Sequence, residues 1–112
     1  MEKALIFDLL KEEVEMARSR KSQSKHDAEV RAIARKLKKQ GFDVKADISG
    51  YRQPDTIRGF RPDVVGIKGR QRKIYEVETE DSVDTARDKN QQKGFKQVAA
   101  QSKNTTFKRI VI

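Results

Sequence analysis

Apolar residues recur along the chain with two different periods, which predict helices and strands. Residues 3–17 form a first predicted helix, whose apolar face comprises Leu5, Ile6, Leu9, Leu10, Val14 and Ala17. A second helix is predicted over residues 25–40, followed by Gly41, where a left-handed residue commonly ends a helix. The basic segment 18–25 has no apolar period and predicts a linker, with Ser24 as the N-cap of the second helix.

Alternating apolar and polar residues predict three strands in the middle of the chain. They are FDVKADIS at 42–49, PDVVGIK at 62–68 and KIYEVET at 73–79. The last two strands are separated by a short loop at Gly69 and Arg70. Because glycine stands first in this loop, a type II′ turn is predicted, which pairs Lys68 with Gln71.

The end of the chain predicts a third helix and a last strand. Asp81, Ser82 and Asp84 are predicted to open a helix that runs to about Gln101, and FKRIVI at 107–112 forms the strand. The order ααβββαβ predicts an α/β fold in a single domain, with a mixed four-stranded sheet flanked by helices. Three successive strands can form a meander, whereas the last strand is reached through a crossover helix.

The chain of 112 residues is strongly basic, with a formal net charge of +9. Residues 1–17 carry −3, so the remainder carries +12. Such a surface attracts polyanions, which makes nucleic acid the expected partner, although charge for solubility alone is the alternative. The absence of cysteine, of a signal peptide pattern and of a long apolar segment predicts a cytoplasmic protein with no membrane span.

Acidic residues gather on the predicted hairpin despite this basic background. In the predicted register Asp63 lies opposite Glu76, and a four-residue loop would place it opposite Glu78 instead. With either of these loops the three carboxylates share one face of the sheet, whereas a three-residue loop with a bulge would not place them so. Carboxylates crowded among apolar residues resist ionisation unless a cation is present, so this face predicts a site for Mg²⁺. The alternative is a solvent-facing edge on which Lys and Arg neutralise each acid.

The segments Pro62-Asp63 and Glu76-Val77-Glu78 resemble the motif of the PD-(D/E)XK nuclease superfamily, in which the last position is Lys. Residues 26–112 have the element order of that family's restriction-endonuclease-like core, and residues 1–25 lie outside it. The chain is similar to archaeal Holliday junction resolvases and type IV restriction nucleases. This resemblance implies an endonuclease that hydrolyses DNA with Mg²⁺ or Mn²⁺. Glu78, in place of the Lys, is a candidate general base or additional metal ligand.

The resemblance also implies two supporting residues in the helices. Glu29 is the expected third metal ligand beside Asp63 and Glu76, and Gln91 is the expected glutamine of the following helix, with Gln92 as second choice. His26 is interpreted as a helix N-terminal residue or a phosphate contact rather than as a base. The loss of the motif Lys leaves an inactive nucleic-acid-binding module of the same fold as the alternative.

Basic residues flank the acids in the sequence and are expected to hold the phosphate backbone. The candidates are Arg58, Arg61, Lys68, Arg70, Arg72, Lys73 and Lys93. Phosphate contacts position a nucleic acid without reading its sequence, so structure-selective or weakly specific binding to DNA, including branched DNA, is expected. An RNA- or ribosome-associated basic domain is a further alternative. The apolar face of residues 3–17 predicts a homodimer contact.

Overall fold

A computed structural model describes residues 19–112 as an α/β structure with two helices and a four-stranded mixed sheet. The predicted first helix and its dimer contact lie outside these residues. The elements are α1 (Arg20–Lys39), β1 (Asp43–Ala46), β2 (Val64–Lys68), β3 (Gln71–Glu78), α2 (Ala86–Ala100) and β4 (Thr105–Val111). Within residues 19–112 no helix has the length and apolar character needed to cross a membrane.

The sheet has the strand order β1-β2-β3-β4, in which the first two pairings are antiparallel and the third is parallel. This is the predicted meander followed by a crossover through α2. Lys68 pairs with Gln71, and Gly69 has a φ of 59°. A positive φ at the first loop position is what a type II′ turn requires, so the predicted hairpin register is confirmed.

Helix α1 begins within the segment for which the sequence predicts a linker. Ser19 is its N-cap, because the Ser19 Oγ accepts a hydrogen bond from the backbone N–H of Ser22 at 3.0 Å. The Ser19 N–H in turn donates to Asp81 Oδ2 at 3.0 Å. The prediction of a linker at 18–25 with Ser24 as N-cap is therefore wrong from residue 20 onward. Residues 20–25 of the helix are basic and polar and mostly exposed to solvent. They therefore show no apolar period, although they are helical.

Helix α2 begins later than predicted. Thr85 is the N-cap, with its Oγ1 accepting from the N–H of Asp88 at 3.1 Å. Residues 81–84 form turns instead, in which the Val83 N–H donates to Thr79 O at 2.9 Å. Asp84 has a φ of 61°, which a right-handed helix does not allow. The first predicted strand is also shorter than expected, because β1 ends at Ala46.

Two apolar layers hold the helices against opposite faces of the sheet. On one face α1 packs with Val30, Ala34 and Leu37 against a buried layer from the strands, formed by Val44, Ala46, Val64 and Val77. On the other face Phe95 of α2 packs against Phe107 of β4, with ring centroids 5.4 Å apart. Because side chains alternate along a strand, neighbouring residues of β3 serve different faces.

The two serines near the start of α1 provide a matched test of where this helix begins. Ser19→Ala should lower the free energy of unfolding by about 1 kcal/mol, because it removes the N-cap acceptor. Ser24→Ala should be neutral or stabilising by up to about 0.5 kcal/mol, because alanine is the better residue inside a helix. Urea unfolding followed by circular dichroism measures both variants, and the reverse ranking would support a helix that starts after Ser24.

Candidate active site

Asp63 and Glu76 lie opposite each other on neighbouring strands. Val64 pairs with Tyr75, so the next position outward along the antiparallel ladder brings Asp63 to Glu76. The backbone N–H of Asp63 donates to Glu76 Oε1 at 3.0 Å, and the N–H of Val77 donates to Asp63 Oδ2 at 2.8 Å. Each carboxylate is thus held by the backbone of the other strand, which confirms the predicted juxtaposition.

Both carboxylates line a cavity of about 330 Å³, here called the carboxylate cavity. Its lining also includes Gln23, His26, Asp47, Arg61, Glu78, Asp81, Ser82, Thr85, Arg87, Asp88 and Gln91. Glu76 and Glu78 lie two residues apart on β3 and share one face of the sheet. They are only 4% and 3% exposed. The three hairpin carboxylates predicted to share a face therefore line one cavity.

The surroundings of Glu76 oppose its ionisation. Burial is the largest cause, followed by the negative charges of Asp63 and Glu78, and together they raise the pKa of Glu76 from its ordinary value of 4.5 to about 10. The hydrogen bond from the Asp63 N–H acts in the opposite direction but does not offset them. At neutral pH Glu76 therefore carries a proton unless a cation enters the cavity.

An ion pair that was not predicted from the sequence lies on the same face of the sheet. Arg109 of β4 is the register partner of Glu76, and its Nη2 and Nε donate to Asp88 Oδ2 at 2.6 Å and to Asp88 Oδ1 at 3.2 Å. Burial raises the pKa of Asp88, but hydrogen bonds, chiefly from Arg109, outweigh burial and hold it below its usual range. Arg109 also attracts Glu78 electrostatically.

The sequence contains a weak signal for this pair. Asp88 precedes Gln91 by three residues and Phe95 by seven, so it continues the buried stripe of α2. Arg109 lies two residues after Phe107 on β4 and therefore shares its face. Each residue is therefore recognisable as an inward-facing charge, although their pairing across 21 positions is visible only in the fold.

His26 occupies the place at the cavity that was expected for Glu29. Its Nε2 lies 3.2 Å from Asp63 Oδ1, and its Nδ1 lies 3.1 Å from Asp27 Oδ1. The side chain is buried. His26 precedes Val30 by four residues and therefore continues the apolar stripe of α1, which is the signal that identifies it in the sequence.

The predicted position of Glu29 is wrong, whereas that of Gln91 is confirmed. Glu29 lies on the other flank of α1, beside Tyr75. Residues three apart on a helix differ in direction by about 60°, and the way α1 lies across the sheet directs His26 rather than Glu29 toward Asp63. Gln91 is buried and lines the carboxylate cavity. Gln92, the second choice, donates instead to Asp88 Oδ1 at 3.2 Å.

The predicted phosphate contacts do not form a single basic rim around the acids. Arg61 lines the cavity and donates through Nη1 to Pro54 O, and Arg58 lies against α2 at Gly94. Lys93 lies on the outer face of α2.

The hairpin residues Lys68, Arg70, Arg72 and Lys73 lie toward the other end of the strands. Lys68 is five residues from Asp63, or roughly 17 Å along an extended strand. The hairpin therefore carries these four residues at its tip, away from the carboxylates, and their role as phosphate contacts stays a prediction.

The predicted metal ligands form an incomplete set. Among the side chains of residues 19–112, no group of three or more His, Cys, Asp or Glu residues is arranged to hold a metal ion. The displacement of Glu29 explains why the predicted set of three ligands is not assembled. Asp63 and Glu76 nevertheless fit Mg²⁺ by their chemistry, because Mg²⁺ commonly takes one or two carboxylates and keeps several of its waters.

Comparison with known proteins does not identify a family. The sequence matches no protein-family model, and a comparison with curated proteins finds no significant match.

Glu76→Gln should change how stability depends on pH in metal-free buffer. The pKa of Glu76 is raised in the folded protein, so above pH 4.5 the unfolded chain releases a proton that the folded chain retains, and the wild type loses stability up to about pH 10. The loss can reach roughly 1.4 kcal/mol per pH unit. Since glutamine does not titrate, the melting temperature of Glu76→Gln should increasingly exceed that of the wild type between pH 5 and pH 9.

Glu80→Gln is the control for this experiment, because Glu80 is exposed and lies close by in the sequence. Thermal unfolding of the three proteins in EDTA should give parallel pH profiles for the wild type and Glu80→Gln. A Glu76→Gln profile parallel to both would contradict the raised pKa.

Proposed function

We propose that the protein is a metal-dependent endonuclease that hydrolyses phosphodiester bonds in DNA, with structure-selective or weakly sequence-specific binding. The observation that carries this proposal is the pair of carboxylates, Asp63 and Glu76, held together in a cavity of a strongly basic protein. The order of elements from α1 to β4 also agrees with the restriction-endonuclease-like core expected from Pro62-Asp63 and Glu76-Val77-Glu78. Membership of the PD-(D/E)XK superfamily is part of the proposal.

Charge in the cavity supports a cation-dependent reaction. A protonated Glu76 beside Asp63 is the arrangement expected where two acids lack a counter-ion. Asp63 and Glu76 would hold Mg²⁺ or Mn²⁺, because a carboxylate oxygen that accepts one backbone N–H has a second lone pair available. When bound, the ion supplies electrostatic stabilisation of the phosphate and lowers the pKa of a coordinated water.

Glu78 is the proposed general base. It is buried on the same face as Glu76, and the attraction of Arg109 favours its negative charge. Glu78 would accept a proton from the attacking water as the water oxygen bonds to phosphorus and the ester bond to the leaving oxygen breaks. The leaving oxygen then takes a proton from solvent. The cationic side chains of Arg61 and Arg87, which line the cavity, would attract the phosphate.

Gln91 and His26 would support these groups without reacting. The Gln91 amide is buried at the cavity wall, where it can donate to a phosphate or a water. The contact of His26 with Asp63 Oδ1 favours one orientation of that carboxylate. Such neighbours of metal-binding carboxylates commonly affect metal affinity by about 10- to 100-fold.

A DNA-binding module without cleavage activity is the second candidate. The observation that favours it is Glu78 in the motif position of a lysine, together with the lack of an assembled group of three metal ligands within residues 19–112. In that case the carboxylates of the cavity would hold a structural cation, or remain partly protonated, beneath the bound DNA.

Cleavage assays distinguish these functions. Labelled junction, flap and duplex DNA should be cut with Mg²⁺ or Mn²⁺ and not with EDTA. Asp63→Asn should abolish cleavage because it removes a cation ligand, and Glu78→Gln should slow it by about 10²- to 10⁴-fold because it removes the base. Asp43→Asn, at an exposed acid on β1, is the control and should cut like the wild type.

The outcomes separate the candidate functions. Binding of the same DNAs without metal-dependent cleavage would favour the binding module, and a clear preference for RNA of equal length would favour an RNA-associated domain. Cleavage that persists in Asp63→Asn would contradict the proposed site.

His26→Gln tests the proposed positioning role. It should weaken Mn²⁺ binding by about tenfold or more, measured by isothermal titration calorimetry, because Asp63 loses its imidazole contact. Cleavage by this variant should recover at saturating Mn²⁺, since the reacting groups are unchanged. Ser24→Ala on the same helix should bind Mn²⁺ like the wild type. Unchanged Mn²⁺ affinity in His26→Gln would rule out the positioning role.

A further inference from the structure

A second cavity, of about 350 Å³, lies between α1 and the β3–β4 half of the sheet. We call it the lysine groove and define it by Lys36, Lys73, Tyr75 and Lys108. Tyr75 is adjacent to Glu76 along β3, so the two side chains point to opposite faces of the sheet. The lysine groove and the carboxylate cavity are therefore separate sites.

The groove carries an excess of positive charge. Three lysines line it from three different elements, with Glu29 as the acid beside them. The ion pairs of 4.0 Å or less within residues 19–112 involve other cations, namely His26, Lys45 and Arg109. Lysines gathered from α1, β3 and β4 without such pairing repel one another, and an anionic ligand would relieve that repulsion.

Packing against Phe42 restricts Lys73 of the groove, together with the neighbouring Lys68. The Nζ of Lys73 lies 5.1 Å from the ring centroid of Phe42, and the Nζ of Lys68 lies 5.7 Å from the same ring. Lys68 also donates to Gln40 O at 2.8 Å. Such contacts reduce the conformational freedom that a long basic side chain must lose on binding.

An aromatic residue accompanies the lysines in the groove. Tyr75 is half-buried and packs at the edge of the apolar layer beneath α1, so its ring is supported from one side. Supported aromatic rings flanked by basic side chains bind single-stranded nucleic acid, because bases stack on the ring and cations contact the phosphates. A cavity of about 350 Å³ accommodates a base, whereas a duplex cannot enter it.

We propose that the lysine groove binds a single-stranded segment of nucleic acid, with a base stacked on Tyr75 and phosphates beside Lys36, Lys73 and Lys108. This inference rests on the proposed function only for the class of partner, because it requires no cleavage. Since the groove and the carboxylate cavity lie on opposite faces of the sheet, the two sites would hold different parts of one substrate. A flap or a junction with an unpaired strand can occupy both sites, whereas a blunt duplex can occupy only the carboxylate cavity.

Binding of a labelled oligothymidylate of about twelve nucleotides, measured by fluorescence anisotropy in EDTA, tests the groove without cleavage. Lys73→Gln/Lys108→Gln should weaken binding and lower the slope of log K against log salt by about 1.4, or 0.7 for each phosphate that the variant no longer neutralises. The control is Lys89→Gln/Lys96→Gln on the outer face of α2, which removes the same charge. Its salt slope should equal that of the wild type.

Tyrosine fluorescence tests the stacking directly. The chain has no tryptophan and two tyrosines, so Tyr51→Phe leaves Tyr75 as the remaining tyrosine. Saturating oligothymidylate should quench the fluorescence of this variant. Tyr75→Leu, checked for folding by thermal unfolding, should weaken binding by about 5- to 150-fold without changing the salt slope.

Equal salt slopes in the two double lysine variants, or unquenched Tyr75, would overturn the single-strand site. Groove-dependent binding by a protein that cuts no DNA would leave this inference intact and reject the nuclease proposal. Metal-dependent cleavage with no groove-dependent binding would support the nuclease proposal and reject the single-strand site.

Discussion

The antiparallel pairing of β2 with β3 brings Asp63 and Glu76 together against their electrostatic repulsion. The pairing is local, since a two-residue turn at Gly69 sets the register for both strands. Backbone N–H groups from each strand then hold the carboxylate of the other. The energy that keeps the acids adjacent therefore comes from the sheet itself, and Glu76 retains its proton until a cation enters.

The rest of the carboxylate cavity balances this charge without removing it. Arg109 forms an ion pair with Asp88 and attracts Glu78 electrostatically, while His26 contacts Asp63. Glu76 has Arg109 as its register partner on β4, yet its pKa remains raised to about 10. The cavity is thus only partly neutralised by the groups that line it. Carboxylates that are only partly neutralised favour the binding of a cation, and the cation in turn can bind a phosphate.

The sheet also separates opposite charges. Glu76 and Glu78 point to the α2 face, and Tyr75 and Lys73 point to the α1 face, because neighbouring residues on a strand alternate. One strand thereby contributes to an acidic cavity and to a basic groove. A nucleic acid that engages both sites must pass from one side of the sheet to the other, which favours a branched or partly single-stranded substrate over a uniform duplex.

Local interactions allowed the hairpin, the pairing of Asp63 with Glu76 and the inward face of Gln91 to be predicted from the sequence, because turn type and side-chain alternation depend on residues close together in the chain. Tertiary structure decided which side chain of α1 meets Asp63, since that depends on how the helix lies across the sheet, and it selected His26 over Glu29. It also paired Arg109 with Asp88, because this ion pair joins two elements whose relative positions no local pattern encodes.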